Sequence, residues 1–226
     1  NKYLTLPEDR IFHSADELLA APKLADVMII STQDAQHKEH ALMALEKGYD
    51  LLLEKPISNK LEDIVTIAGA AKRLDRKVIV CHVLRYTPFY KKVKELVASG
   101  IIGRVMSIEA CEHVGNFHYA PSYTRGNWHN EAASSPMILA KCSHDMDLIY
   151  WLAGESCTKL TSFGTQTYYN ASNAPEGAAE RCSDCKLDCV FRAHDFYLPR
   201  VPKWPTNVIH PEPTVENITE LLKTSD

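Results

Sequence analysis

Lys55 is the first residue whose position indicates chemistry. It follows the apolar run Leu51–Leu53 directly and stands within the tripeptide Glu54-Lys55-Pro56. A lysine delivered from a buried strand into a dry cleft has a shifted pKa and can act as a general acid or base. The alternative is a surface ion pair between Lys55 and Glu54 in an ordinary loop, and the tripeptide alone favours that alternative.

A second candidate pair lies in segment 137–152, which the residue pattern predicts to be a helix. The predicted apolar stripe of this helix consists of Met137, Ala140, Leu148, Trp151 and Leu152. Lys141 and His144 fall on the same stripe, where ionisable groups need a partner or a cavity. His144 has the pKa range for proton transfer near neutral pH. A hydrogen-bonded core histidine and a snorkelling lysine are the alternatives, but the two residues together favour a functional site.

A cluster of cysteines forms a third candidate. Cys182, Cys185 and Cys189 stand close together, and His194 follows five residues later. Thiolates at such spacing can bind zinc, which would then staple a loop. The alternative is a set of reduced cysteines in a polar loop. The odd total of seven cysteines favours a reducing cytoplasm over a disulfide framework.

The first half of the chain alternates predicted strands and helices. Continuous apolar runs predict buried strands at 25–31, 49–53 and 78–81, and apolar periodicity predicts helices at 16–20 (capped by Ser14), around 41–45 (ended by Gly48) and at 61–71. This alternation is typical of βαβ units with a parallel sheet. Ligands of such sheets bind beyond the carboxyl ends of the strands. Thr32, Gln33 and His37 follow the first strand and could approach a cofactor there. The alternative is a plain loop capped by Asp34.

The pattern changes after His82. It predicts a helix at 88–99 closed by Gly100, a strand with one covered face at 104–114, a long loop at 115–135, a polar segment at 170–190 and irregular structure beyond Pro199. Long loops of this kind are usually functional or disordered.

Composition narrows the class of protein. The chain has 226 residues and a net charge of -4, a balance that argues against a nucleic-acid-binding protein. No apolar run is long enough for a membrane span, and the first residues contain no apolar signal core. The chain starts without Met, so a processed chain or a fragment is expected.

Several segments resemble one large family in their order along the chain. These segments are Ala25–Thr32, Gly48–Pro56, Ser99–Gly103 and His144–Leu152. They resemble the glucose–fructose oxidoreductase, inositol dehydrogenase and rhizopine-catabolism family (Gfo/Idh/MocA). The resemblance covers residues 10–155 and extends more loosely to Tyr197.

The resemblance implies an NAD(P)-dependent oxidoreductase of a sugar or polyol, and the composition is that of a cytoplasmic protein. The implied fold class is α/β. A partial Rossmann domain with a doubly wound parallel sheet would span 1–86, and an α+β domain with an open, mostly antiparallel sheet would span 87–226. Such a sheet often packs against another subunit, so a homo-oligomer is expected.

The resemblance also assigns roles to residues. The catalytic residues would be Lys55 and His144, with Lys141 beside them. The cofactor NAD or NADP would meet Thr32, Gln33, His37, Glu54, Lys55 and Arg85. Substrate hydroxyls would meet His118, Arg125 and Trp128 as well as the catalytic residues.

The sequence departs from the family pattern in two places. Many members carry an aspartate four residues before the motif histidine, where this chain has Ala140, and Lys141 could replace that aspartate. The sequence also lacks the Gly-x-Gly-x-x-Gly turn that the family places on its first strand. At least one βαβ unit is therefore expected to be missing, and the C-terminal sheet is expected to be incomplete.

Three other functions stay open at this stage. Glycoside cleavage through transient oxidation, which relatives perform with tightly held NAD, needs the same base and cofactor. A non-catalytic NAD(P)-binding regulator would keep the fold without the proton chemistry. A metal-stapled interaction module would be built around residues 182–194.

Overall fold

The computed structural model describes residues 5–224. In chain order, the helices and strands are α1 (Ala15–Ala20), β1 (Val27–Ile30), α2 (His37–Glu46), β2 (Asp50–Leu53), α3 (Leu61–Arg73), β3 (Val78–Val80), α4 (Pro88–Ala98), α5 (Asn116–Tyr119), α6 (Met137–Ala140), α7 (Ser143–Ala153), α8 (Ala193–Tyr197), α9 (Thr206–Ile209) and α10 (Val215–Thr224). They form two compact units. The first contains residues up to Gly115 and Asn127–Lys159, and the second contains Asn116–Gly126 and the residues from Leu160 onward.

The first unit is built on a parallel sheet, as the sequence predicts. Its strands are ordered β1-β2-β3 and pair in parallel, so β2 is central. Ser14 caps α1 by accepting a hydrogen bond from the amide of Glu17. Gly48 follows the end of α2 with φ +83°, a left-handed conformation that favours glycine.

One face of this sheet carries the core of the first unit. Ile30, Leu51 and Leu53 lie in a buried cluster with residues of α2 and α3, among them Ala41, Leu45, Ile67 and Ala70. The other face differs from the sequence prediction of strands buried on both sides. Val27, Ile29 and Ile79 are 52%, 67% and 55% exposed, because no described element covers them.

The single helix predicted for 137–152 is wrong: the chain forms α6 and α7 with a break at Lys141 and Cys142. In an uninterrupted helix the carbonyl oxygen of Ala140 would accept the amide of residue 144. Here that oxygen accepts a hydrogen bond from Lys55 Nζ at 2.7 Å. A side chain that enters a helix ladder in this way is a recognised cause of helix breaks.

Three other sequence predictions need correction. Residues 104–114 form no strand, and within residues 5–224 the parallel sheet is the only one, so the predicted antiparallel sheet is not seen there. The predicted loop 115–135 contains α5 and a π-helical turn at Ala120–Thr124. The predicted irregular end contains α9 and α10. The prolines end at Pro213, after which Ile218 and Leu222 recur at helical spacing and pack inward.

The second unit has its own small core and a set of packed aromatic rings. Ala193, Tyr197 and Ile218 are buried together. Tyr119 and Tyr169 stack with ring centroids 5.4 Å apart and an angle of 21° between their planes.

Among the described residues, no helix has the length and apolar character required to cross a membrane. None of the seven cysteines forms a disulfide.

Gly126 is a position in the second unit that we expect to tolerate no side chain. A Cβ atom there would overlap the carbonyl oxygen of Pro121 and press against Ser122. Gly126→Ala is therefore expected to lower the free energy of unfolding by about 1–3 kcal/mol, because backbone has to shift. Gly164→Ala is the matched control, since nothing lies within 4 Å of its added Cβ. Equal urea denaturation curves for the two variants would contradict the expectation.

Candidate active site

Lys55 lies at the carboxyl end of β2, as the sequence predicts. The Glu54 amide donates to the carbonyl oxygen of Ile30 at 2.9 Å, which ties this end of β2 to β1. Lys55 is half-buried, and its Nζ donates to the carbonyl oxygen of Ala140. The Lys55–Pro56 peptide bond is cis. The ammonium group is thus held at one point rather than left to move in solvent.

The surroundings of Lys55 favour its neutral form. Burial is the largest effect, and it lowers the pKa of Lys55 below the ordinary lysine value. The nearby Lys141 ammonium lowers this pKa further, whereas the carboxylates of Asp34 and Glu54 raise it. A lysine with a lowered pKa can accept a proton closer to neutral pH than a surface lysine can.

His144 and Lys141 lie beside Lys55, with Lys141 in the break between α6 and α7 and His144 in the first turn of α7. Lys141 Nζ lies 3.2 Å from the Glu112 carboxylate, so it already has an anionic partner. Burial lowers the pKa of His144, and the positive charges of Lys55, His82 and Lys141 lower it further. Within residues 5–224, His144 Nδ1 is buried without a hydrogen-bond partner. A buried polar atom of this kind is either costly or reserved for a ligand.

Asp147 anchors a network that the sequence analysis missed. Arg85 donates two hydrogen bonds to its carboxylate, from Nε at 2.7 Å and from Nη2 at 2.6 Å. His82 Nε2 lies 3.8 Å from Asp147 Oδ1, and the ring centroids of His82 and His144 are 6.1 Å apart. The sequence predicts that Arg85 contacts the cofactor, but its guanidinium group binds the Asp147 carboxylate instead. The missed signal for His82 is its place just after β3, which corresponds to the place of Lys55 after β2.

The predicted cofactor residues after β1 are placed differently from one another. Thr32 and Gln33 are exposed at the carboxyl end of the strand, and Thr32 Oγ1 lies 3.1 Å from His40 Nδ1. His37 is 1% exposed. Its ring nitrogens lie 2.9 Å and 3.0 Å from the carbonyl oxygens of Pro56 and Thr32. His37 therefore joins the chain segments that follow β1 and β2 by hydrogen bonds to both, and it has a structural role at this edge of the sheet.

The three predicted substrate residues belong to different units. Trp128 lies in the first unit, where its Nε1 donates to Asp34 Oδ2 at 3.2 Å. Asp34 is 7% exposed and faces the same site as Lys55. The capping role considered for it from the sequence falls to Gln33, which precedes the turn Asp34–Gln36. His118 and Arg125 lie in the second unit. His118 packs near Trp204, and Arg125 donates to the carbonyl oxygen of Phe191.

The structure does not support the predicted zinc site at Cys182, Cys185 and Cys189. Across residues 5–224, no group of three or more His, Cys, Asp or Glu side chains is arranged to hold a metal ion. Cys182 packs instead against the core of the second unit. Backbone hydrogen bonds from Ala179 and Leu187 lower the pKa of the Cys185 thiol. The three cysteines are close in sequence, but their thiols are not arranged around one metal position.

Comparisons with known proteins agree with the fold. A family model described as an oxidoreductase family with an NAD-binding Rossmann fold matches residues 5–82, and the GFO/IDH/MocA C-terminal domain model matches residues 90–184. YteT of Bacillus subtilis (strain 168) is 27% identical over 192 residues, which cover 83% of this chain and 44% of that protein. Inositol 2-dehydrogenase of Streptomyces avermitilis is 31% identical over 160 residues, or 70% of this chain and 42% of that protein.

A solved structure shows the same fold. Myo-inositol 2-dehydrogenase from Lactobacillus plantarum has a TM-score of 0.53 at 21% identity, covering 63% of this chain and 41% of that one. The chain thus spans less than half the length of these relatives, at 44%, 42% and 41%. Since the two family models together match most of its residues, the chain belongs to the Gfo/Idh/MocA family of NAD-binding oxidoreductases.

Proposed function

We propose that this chain carries the proton-transfer centre of an NAD(P)-dependent oxidoreductase that acts on a secondary alcohol of a sugar or polyol. The observation that carries the proposal is the state of Lys55. It is half-buried at the carboxyl end of a parallel strand, fixed by the carbonyl oxygen of Ala140, and its pKa is lowered. The names of relatives that are inositol 2-dehydrogenases support a polyol substrate.

The residues at this edge of the sheet fit the nicotinamide end of such a cofactor. Thr32 and Gln33 are exposed beyond β1, while Glu54 and Lys55 are half-buried beyond β2. Small and polar side chains at this position allow a flat ring to approach the strand ends. Bound NAD(P) would supply the hydride acceptor. The choice between NAD and NADP stays open.

Lys55 and His144 would divide the work on the substrate hydroxyl. The neutral Lys55 amine would accept the hydroxyl proton while the carbon loses its hydride. His144, whose buried Nδ1 has no hydrogen-bond partner among residues 5–224, would hold the same hydroxyl by a hydrogen bond. Lys141 pairs with Glu112, so we assign it an electrostatic role: beside the larger effect of burial, its charge lowers the pKa of Lys55 and of His144.

A turnover assay tests the proposal. The purified chain is given NAD or NADP with a panel of inositols, sugar alcohols and aldoses, and formation of the reduced nicotinamide is followed by absorbance. We expect at least one cyclic or linear polyol to be oxidised. A folded chain that binds the nicotinamide cofactor but oxidises no member of the panel would contradict the proposed function.

The pH dependence of the oxidation should respond to two substitutions in opposite directions. Oxidation needs neutral Lys55, so the rate rises as pH increases through the lowered pKa of Lys55. Lys141 lowers that pKa, so Lys141→Met should move the rise to higher pH. Asp34 raises it, so Asp34→Asn should move the rise to lower pH. Profiles of kcat/KM against pH provide the measurement, and shifts in the same direction would contradict the assignment.

A further inference from the structure

The cluster around His144 contains a second imidazole that the proposed reaction does not use. His82 follows β3, and its Nε2 lies 3.8 Å from Asp147 Oδ1. Its ring lies 6.1 Å from the ring of His144, with an angle of 75° between the two planes. His82 thus contacts a fixed carboxylate on one side and the candidate catalytic histidine on another.

Asp147 is well placed to fix the ring of His82. Its side chain is 10% exposed, and Arg85 holds both of its oxygens. Asp147 comes three residues after His144 on α7, so the two side chains share one face of that helix. His82 packs against this face and contacts both residues.

Two ring nitrogens of this network remain available to bind a ligand. The Nδ1 atoms of His82 and His144 are both buried without a hydrogen-bond partner among the described residues. The Asp147 carboxylate near Nε2 of His82 favours the ring proton on that nitrogen. Nδ1 of His82 is then a buried acceptor.

We propose that His82 is a positioning residue for His144, through which Asp147 and Arg85 fix the orientation of the His144 ring and couple to its protonation. The inference rests on the proposed function only in taking His144 as the residue that binds the substrate hydroxyl.

The charged groups around the two rings define the coupling. His144 faces Lys55, Lys141, Glu54 and His82. His82 faces Asp147, Arg85 and Lys55. Burial is the main cause that lowers the pKa of each histidine. Two adjacent rings disfavour each other's protonation, so they titrate as a coupled pair.

An NMR titration of the imidazole signals tests the inference without any turnover. The full chain is compared with His82→Gln and with the control His13→Gln, which changes an exposed histidine. Loss of the His82 charge should raise the pKa of His144, whereas the control should leave it unchanged. An unchanged His144 titration curve in a folded His82→Gln variant would overturn the inference.

The wild-type chain offers a second readout if His82→Gln does not fold. Its His82 and His144 signals should each show an inflection at the titration of the other ring. Independent curves with single inflections would overturn the inference. Since neither measurement needs a substrate, the inference can hold even if no polyol is oxidised.

Kinetics of an active preparation separate positioning from a structural role. His82→Gln should lower kcat by about tenfold, because the ring of His144 is no longer held in the productive orientation at the reacting hydroxyl. It should change KM by less than about twofold, because the other contacts to the substrate are retained. It should also move the acid limb of the kcat profile to higher pH. Lower thermal stability with unchanged kcat and pH profile would show a structural role and contradict the inference.

Discussion

Lys55→Met should lower the turnover number by about 10²–10⁴-fold, the range for loss of a positioned general acid or base. Met keeps an unbranched, apolar chain in the half-buried position but cannot accept a proton. It also removes the hydrogen bond to the carbonyl oxygen of Ala140. The initial rate of nicotinamide reduction at saturating substrate provides the measurement.

A matched lysine controls for the loss of charge alone. Lys72 lies exposed on α3, so Lys72→Met should leave kcat near its wild-type value. Circular dichroism and cofactor binding would show that the Lys55→Met variant is folded. Wild-type turnover in that folded variant would mean that Lys55 is not the proton acceptor.

Asp147→Ala should lower the free energy of unfolding by about 3 kcal/mol, the largest loss expected among the proposed variants. The carboxylate is 10% exposed, and its removal leaves the partly buried Arg85 guanidinium without its two charge-assisted hydrogen bonds. Removing one partner of such a pair leaves a partly buried charge uncompensated, and this uncompensated charge accounts for most of the loss in the free energy of unfolding. Some of the cost is offset because the side chain of Arg85 is 30% exposed and water can reach it.

A surface ion pair supplies the control for this prediction. Lys92 Nζ lies 2.6 Å from Glu95 Oε1, and the two side chains are 61% and 66% exposed. Glu95→Ala should therefore cost less than about 1 kcal/mol. Urea denaturation of both variants provides the comparison, and equal losses would contradict the structural weight assigned to Asp147.

The parallel sheet could be predicted from the sequence because its signals are local. Apolar runs, the Ser14 cap and Gly48 each act on a few neighbouring residues, and the family motifs fix their order. The break between α6 and α7 could not be predicted this way. It depends on the hydrogen bond from Lys55 to Ala140, two residues 85 positions apart.

The same distinction applies to the site. Lys55 and His144 stand out because ionisable side chains lie next to apolar runs. Asp147 does not stand out in this way. His82 follows the apolar run of β3 much as Lys55 follows β2, but its role, like that of Asp147, depends on ring and carboxylate positions set by tertiary packing. The predicted zinc site failed for the opposite reason: the cysteines are close in sequence, but within residues 5–224 they form no group arranged to hold a metal ion, and Cys182 packs against the core of the second unit.

The pKa of Lys55 tests the central claim most directly. Lysine labelled with carbon-13 at Cε would be followed by NMR over a range of pH, and the Lys55→Met variant would identify the Lys55 signal. We predict that this signal titrates at lower pH than the ordinary lysine value. A Lys55 signal that titrates at the ordinary lysine value or above it would contradict the account.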